Sequence, residues 1–340
     1  MENEMKEIID VLTKFQQGYD ESDLEQADLL MADLFSKRDD LLTYGTGTYE
    51  ACLGREQVKE LIKNDWDGGW GGFKLDLPNA KIEIDGDIAW FFLDATVKYE
   101  FKDADADEFG LYNGFVKEII ANEKNNAKQK LSFLNWALGM QYHQRPNGER
   151  EYLWPSEFSG MMVKEDGNWK IMTMHFAMAK PNYPTERLEE TIEEYQNDVD
   201  FARNKMIEHT TTKIDDELFA FLTTSETGVD FVKEQVAVFT AGNFSWLMAI
   251  ATERKVITEE AIFANAMSEI EQLANSAMSE DEKLFATKRS IAFALREVAS
   301  GSEFTWTIKL TAVIEKTADG YQFRQKHYSY PFNWYFEGLY

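Results

Sequence analysis

The chain has 340 residues, 61 acidic against 35 basic, for a formal net charge of −26 at pH 7. That length exceeds one ordinary core and suits two domains, and a field of that sign repels phosphate backbones and anionic headgroups, which disfavours nucleic acid and membrane surfaces as partners. Hydrophobic residues at 44% and aromatics at 14% supply packed interiors with side chains left over to wall a pocket, while Cys52, the only cysteine, excludes an intrachain disulfide or a thiolate cluster.

A reducing compartment fits a single thiol. The opening MENEMKEIIDVLTKF carries acidic residues and helical periodicity where a secretory leader needs a basic start and an unbroken apolar run. No stretch approaches the roughly 18 apolar residues of a membrane span, so the expectation is a soluble, cytoplasmic protein.

Met5, Ile8, Ile9, Leu12, Phe15 and Tyr19 recur at three- and four-residue steps, which predicts an opening helix with one apolar face. A shorter helix follows from the N-cap residue Asp23 to Phe35. LLTYGTGTYE, Leu41 to Glu50, reads as a strand leading into a helix over REQVKELIKNDW. The glycines of DWDGGWGGF are too short and too acidic a loop to cradle phosphate, and neither a Walker lysine nor a dinucleotide fingerprint follows, so a flexible lid or turn is expected. IEIDGDIAWFFLDATVKYEF predicts a hairpin turning at Asp85–Gly86, and period-two alternation puts Trp90, Phe92, Asp94 and Thr96 on one face of its second strand. After a helical insertion, SEFSGMMVKEDGNWKIMTMHFAM predicts a second hairpin at Asp166–Gly167. His175 lies on its last strand, sharing a face with Ile171, Thr173 and Ala177.

PTERLEETIEEYQNDVDFARNKMIEH starts on proline and carries Leu188, Ile192, Tyr195, Val199 and Met206 along one stripe, as the opening helix of a second unit would. TAGNFSWLMAIATERKV parallels IDGDIAWFFLDATVKYE, with Gly242 and Trp246 standing 156 residues after Gly86 and Trp90. WTIKLTAVIEKTADGYQFRQKHYSY parallels the second hairpin, with Tyr321 and His327 standing 152 residues after Trp169 and His175. These residues return in one order, and a helical stretch, Phe115 to Tyr142 and then Glu259 to Val298, separates the strands in both halves. The pattern reads as an internal duplication. The expected domains are 1–182 and 183–340.

YGTGTYEACLGREQVKELIKNDW, GDIAWFF and WKIMTMHF, set among helices and long antiparallel strands, resemble the NTF2-like superfamily and, within it, the SnoaL-like branch. The resemblance implies an α+β fold of two NTF2-like cone-shaped domains, in each of which a curved antiparallel sheet wraps N-terminal helices, with a helical insertion and a pocket at the mouth. It also implies domains that pair, so the expectation is an intrachain pseudo-dimer or a homo-oligomer. The second copy has no counterpart of YGTGTYE and holds Ile250 where the first has Asp94. A second-domain pocket, around Trp246 and His327, would have different chemistry.

In enzymes of this resemblance an Asp or His held in an apolar cone acts as general acid or base without a cofactor, because burial moves a carboxyl pKa toward neutrality. Asp94 and His175 are the candidates, with no catalytic motif behind them. Asp94 reads equally as a carboxylate at the sheet rim, and His175, repeated as His327, as an imidazole bridging strands. Tyr44, Trp66, Trp70, Trp90 and Phe92 are candidates to wall a pocket for a small apolar or aromatic ligand, or else to be core. Asp103, Asp105 and Asp107 open like a calcium loop, but Glu108 stands where glycine is required and Gly114 where glutamate is required. His143, His175, His209 and His327 show no zinc-type pairing, so neither metal nor cofactor is expected. Three readings stay open: a small-molecule binding or accessory protein; a cofactor-independent isomerase, cyclase or hydrolyase-type enzyme using Asp94 or His175; and a structural assembly module docking through the Leu188 to Met206 stripe.

Overall fold

The computed structural model describes residues 2–47, 50–68, 70–100, 116–123, 127, 130, 151–178, 200–207, 213–300 and 303–330. The opening apolar stripe becomes α1 (Glu2–Glu21), with Ile8, Leu12, Phe15 and Tyr19 all buried on one side. Asp23 caps the next turn by accepting the Glu25 N–H, and α2 (Ala27–Leu34) follows, burying Ala27, Met31 and Leu34. α3 (Gly54–Asp67) buries Val58, Leu61, Ile62 and Trp66. These helices pack on one face of the first sheet.

That sheet is built from β1 (Leu42–Tyr44), β2 (Ala51–Leu53), β3 (Trp70–Leu75), β4 (Lys81–Asp85), β5 (Ile88–Glu100), β6 (Glu151–Glu165) and β7 (Asn168–Met178), in the order β2-β1-β7-β6-β5-β3 with β4 also on β5. All pairings are antiparallel except β1 on β7. In the DWDGGWGGF segment, expected as a lid or turn, Gly68 caps the end of α3 in a turn. Trp70, Gly71 and Gly72 start β3, and the irregular pairing between Gly71 and Lys74 explains the glycine at φ +54 of position 72.

The second sheet contains β8 (Val229–Asp230), β9 (Val236–Ala241), β10 (Phe244–Val256), β11 (Glu303–Thr317) and β12 (Gly320–Ser329), ordered β12-β11-β10-β8 with β9 also on β10. α4 (Asp216–Ser225) lays Leu218 and Leu222 on it, in a core with Leu247, Ala249 and Leu310. Between β10 and β11 run α5 (Glu259–Ala274) and α6 (Glu280–Ser300). Of the corresponding stretch between β5 and β6, a helical turn at 116–121 is described. The fold is thus α+β, with curved antiparallel sheets and N-terminal helices, and with a second sheet-rich region after the first. Among the described residues no helix is long and apolar enough to cross a membrane.

The two sheets share one register. Trp90 pairs with Met161, and Trp246 with Val313; Met161 then pairs with Thr173, and Val313 with Gln325. Both ladders slip at the next step, between Met161 and Met162 in one and between Val313 and Ile314 in the other, leaving Met172 and Arg324 as the extra residues of their bulges. A bulge reverses the alternation of side chains. Ile171 therefore falls out of phase with Thr173, His175 and Ala177, contrary to the expectation that all four share a face.

The inner face of the first sheet is filled by its own aromatics: Phe158 stacks on Phe176 at 4.7 Å and on Phe15 at 5.4 Å, with Phe73 and Phe91 edge-on to Phe158. Its outer face meets the second sheet, so that Trp90 and Met161 share one core with Trp246, Met248, Ile250 and Val313. The helix end at 200–207 joins that same core through Ala202 and Met206, and the Tyr44 hydroxyl donates to Met206 Sδ at 3.5 Å. Its described part therefore does not join the core under the second sheet, as the opening helix of a second unit would. The expected boundary at 182 and 183, and Leu188 to Val199 of the stripe, lie outside the described residues.

Candidate functional site

Cross-strand pairing aligns Phe92, Ser159, His175 and Tyr44 in one row on the outer face of the first sheet, and Met248, Thr311 and His327 in the matching row of the second. The rows interlock. His175 and His327 stack with ring centroids 4.1 Å apart, His175 Nδ1 lies 3.0 Å from Thr311 Oγ1, and reciprocally His327 Nδ1 lies 2.6 Å from Ser159 Oγ. Ser159 and Thr311 are offset by the same 152 residues as the two histidines, so the contact is made twice, as in a two-fold interface. His175 Nε2 is also bonded to Ser329 Oγ at 2.7 Å. A neutral imidazole donates at one nitrogen and accepts at the other, and burial, then the nearby His327 and Lys309 charges, hold the His175 pKa well below its ordinary value. His327 Nε2 has Glu157 Oε2 at 3.4 Å, and that imidazole keeps the Glu157 carboxyl below its usual range.

This placement separates the residues singled out in the sequence. Trp90 packs on Phe244 of the second sheet at 4.9 Å and Phe92 on the His327 ring at 5.4 Å, so both are interface residues rather than walls of a cone. Tyr44 is wholly buried against His175 at 5.6 Å, and Trp246 is buried in the shared core. Asp94 is exposed on the same face, opposite Glu157 in the strand pairing. It is neither among aromatics in a cone nor in the hydrogen-bond set of His175. His143, His209 and the 103–107 aspartates lie outside the described residues.

Trp66 and Trp70 sit elsewhere, at the end of α3 and the start of β3, and titratable groups gather beside Trp66. The Tyr19 hydroxyl donates to Asp65 Oδ2 at 2.9 Å, and the Tyr19 ring meets Trp66 edge-on at 5.8 Å. Burial, and then repulsion from the Glu50 carboxylate, push the Asp65 carboxyl up to about 8 against the lowering effect of the Tyr19 bond. Burial and the Asp65 charge in turn raise the Tyr19 phenol well above its ordinary value. The Trp66 Nε1–H is buried without a hydrogen-bond partner, an orphaned donor that a polar ligand atom would satisfy. Cys52, at the same end, is buried and its thiol is pushed up to about 12 by desolvation first and Glu50 second, which leaves it protonated and unreactive.

Asp65 was missed in the sequence, although a signal existed: it stands three residues after Ile62 and four after Leu61, in the apolar stripe of α3, where a carboxyl is out of place. Glu50 belongs to the 45–50 loop between β1 and β2. Its Oε2 accepts the Gly47 N–H at 2.6 Å, and its carbonyl accepts the Gly45 N–H at 3.1 Å. The same loop receives Lys309 of β11, whose Nζ donates to the carbonyl oxygens of Gly45, Gly47 and Glu50 at 2.9, 2.6 and 2.9 Å.

Residues 8–118 match the family described as the SnoaL-like domain, a span that holds α1 from its core onward, α3, Tyr19, Glu50, Asp65 and both tryptophans. No curated protein matches the chain. Among solved structures, an NTF2-like superfamily protein from Salmonella enterica subsp. enterica serovar Typhimurium str. LT2 is 13% identical, with 54% of this chain and 96% of that chain covered and a TM-score of 0.34. An NTF2-like protein with a cystatin-like fold from Novosphingobium aromaticivorans is 12% identical over 51% of this chain and 80% of that one, with a TM-score of 0.31.

Proposed function

We propose, from the match of residues 8–118 to the SnoaL-like domain family, that the first unit, 1–182, binds a small aromatic or apolar molecule and anchors it on Asp65 and Tyr19. One observation carries the reading: a carboxyl hydrogen-bonded to a buried phenol and pushed up to about 8 by burial and Glu50, beside a tryptophan whose N–H has no partner. A protonated carboxyl both donates and accepts. The matching ligand is a flat molecule bearing a carbonyl or hydroxyl oxygen, with Trp66 and Trp70 as apolar walls. Such a site needs no metal or cofactor. The second unit, 183–340, is a diverged copy docked as an intrachain pseudo-dimer; the shared register, the shared bulge and the reciprocal histidine contacts support it.

The test is a thermal-shift screen of small aromatic carbonyl and phenolic compounds on the full chain at pH 7, repeated on Asp65→Asn and Tyr19→Phe. A ligand bound only by the folded protein at 100-fold its Kd raises stability by about 2.7 kcal/mol. Hits should shift the wild type and lose most of that shift in both variants. Hits that shift all three proteins equally would remove Asp65 and Tyr19 from the site. A second reading, a cofactor-independent isomerase or hydrolyase-type enzyme, is favoured by the same carboxyl, because a general acid or base works best with a pKa near the operating pH. Turnover of a bound compound that vanishes in Asp65→Asn with binding retained would decide for it.

A further inference from the structure

Lys309 comes from the second sheet and is wholly buried, yet the groups it satisfies belong to the first unit. Its ammonium uses three donors on three carbonyls of the 45–50 loop, which compensates the removal of a charge from water. The described residues at both ends of the loop are also held to each other. Besides the Gly47 N–H to Glu50 Oε2 bond, the Glu50 N–H donates to the Gly47 carbonyl at 3.2 Å. A Cβ at Gly45 would overlap the Glu50 carboxylate, and one at Gly47 would come within 3.0 Å of Glu50 Cδ, so both glycines make room for that carboxylate. From Glu50 the chain passes through β2 directly into α3, which carries Asp65. At the place in β6 that matches Lys309, offset by 152 residues, the first sheet holds Glu157. The two sheets thus differ in charge at a shared position, and only the second supplies the cation.

We propose that Lys309 is a positioning residue for the first unit's site: by gathering the carbonyls of the 45–50 loop it fixes the Glu50 carboxylate beside the Asp65–Tyr19 pair, so the site is complete only when the second sheet is docked. The inference rests on the reading of Asp65 as the polar anchor. It gives the second unit a role in binding although Tyr19, Glu50 and Asp65 all lie before residue 183.

The experiment uses the full chain, labelled with 13C at aspartate carboxyls, with Asp65 assigned by its loss in Asp65→Asn. In the wild type the expected Asp65 midpoint is about 8. In Lys309→Met the freed loop lets Glu50 turn to solvent, and the Asp65 midpoint falls by about one pH unit, tenfold in its ionisation equilibrium. Glu50→Gln gives a similar fall, and the double variant falls no further, because both changes act through one carboxylate. Amide exchange at Gly47, whose N–H is held by Glu50, speeds up about tenfold or more in Lys309→Met. A folded Lys309→Met with an unchanged or raised Asp65 midpoint overturns the inference, as does an additive double variant. Should that variant not fold, Lys309→Gln and then Gly47→Ala, which crowds the same carboxylate with Lys309 in place, are read by the same midpoint, and no fall overturns it. A wild-type midpoint in the ordinary carboxylate range sinks the anchor reading instead, while the Gly47 amide still reports separately on the lysine cage.

Discussion

Asp65 is a burden to the fold at neutral pH, and that burden has a measurable sign. Unfolded, its carboxyl ionises in the ordinary carboxylate range; folded, desolvation and Glu50 delay ionisation to about 8. Between those limits the unfolded chain has given up a proton that the folded one keeps. Stability is therefore full below the lower limit, falls as pH rises, and levels off above 8. Asn keeps the shape and cannot ionise. Asp65→Asn is expected to melt higher than the wild type at pH 8, by about 1–2 kcal/mol of added stability, with the gap closing as the pH is lowered to 4. Melting curves at the two pH values check it, and a constant gap would mean that Asp65 ionises normally in the folded protein. Tyr19→Phe moves the same group the other way. Losing the donor that favours the carboxylate raises the Asp65 midpoint further, visible in the titration of the labelled carboxyl.

At the scale of elements, Gly160 shows how tightly the first core is set. It sits mid-strand in β6, where an added Cβ would come within 2.6 Å of Phe91 Cζ and would overlap the Thr173 carbonyl. Phe91 is itself packed on Phe158 at 5.0 Å and has nowhere to retreat. Gly160→Ala should lose about 1–3 kcal/mol, read as a lower urea midpoint with an unchanged slope; the matching position of the second sheet, Ala312, already carries a Cβ. The elements themselves were legible in the sequence because their causes are local: the stripe of Ile8, Leu12, Phe15 and Tyr19, the Asp23 cap, and turns such as Asp166–Gly167, both at positive φ. Which face of a strand points where was not legible. β5 is apolar on both sides, Phe91 and Leu93 on one and Trp90 and Phe92 on the other, since helices cover one face and a second sheet the other. Alternation says that the two sets differ, not which set looks into the cone. Trp90, Phe92 and His175 accordingly fell on the interface, and Asp94 fell exposed on the same face. Trp66, fixed by a helix end, fell beside the Asp65–Tyr19 pair, and the bulge at Met172 had no single-residue signature to announce it.

For the molecule as a whole, the polar row between the sheets sets how it answers to acid. Two stacked imidazoles lie in the middle of an apolar interface, and the titratable or charged groups facing His175 are His327, Lys309 and Tyr44, with Glu157 against His327. The hydroxyls of Thr311 and Ser329 satisfy both nitrogens of the neutral His175 ring, and Ser159 holds His327 Nδ1. A second proton on His175 would leave two donors facing a like charge with little water. Its folded pKa is depressed, so the unfolded chain takes up a proton near the ordinary histidine range while the folded chain does not. The stability His175 lends is present above that range and is lost as the pH falls through it. Glu157, whose carboxyl is held low, contributes in the same direction only at more acid pH. His175→Gln keeps one donor and one acceptor but cannot titrate. Its melting temperature should fall less between pH 7.5 and pH 5.5 than that of the wild type, even if it starts lower because the Thr311 and Ser329 bonds are remade imperfectly. An equal fall in both proteins would place the acid sensitivity outside His175.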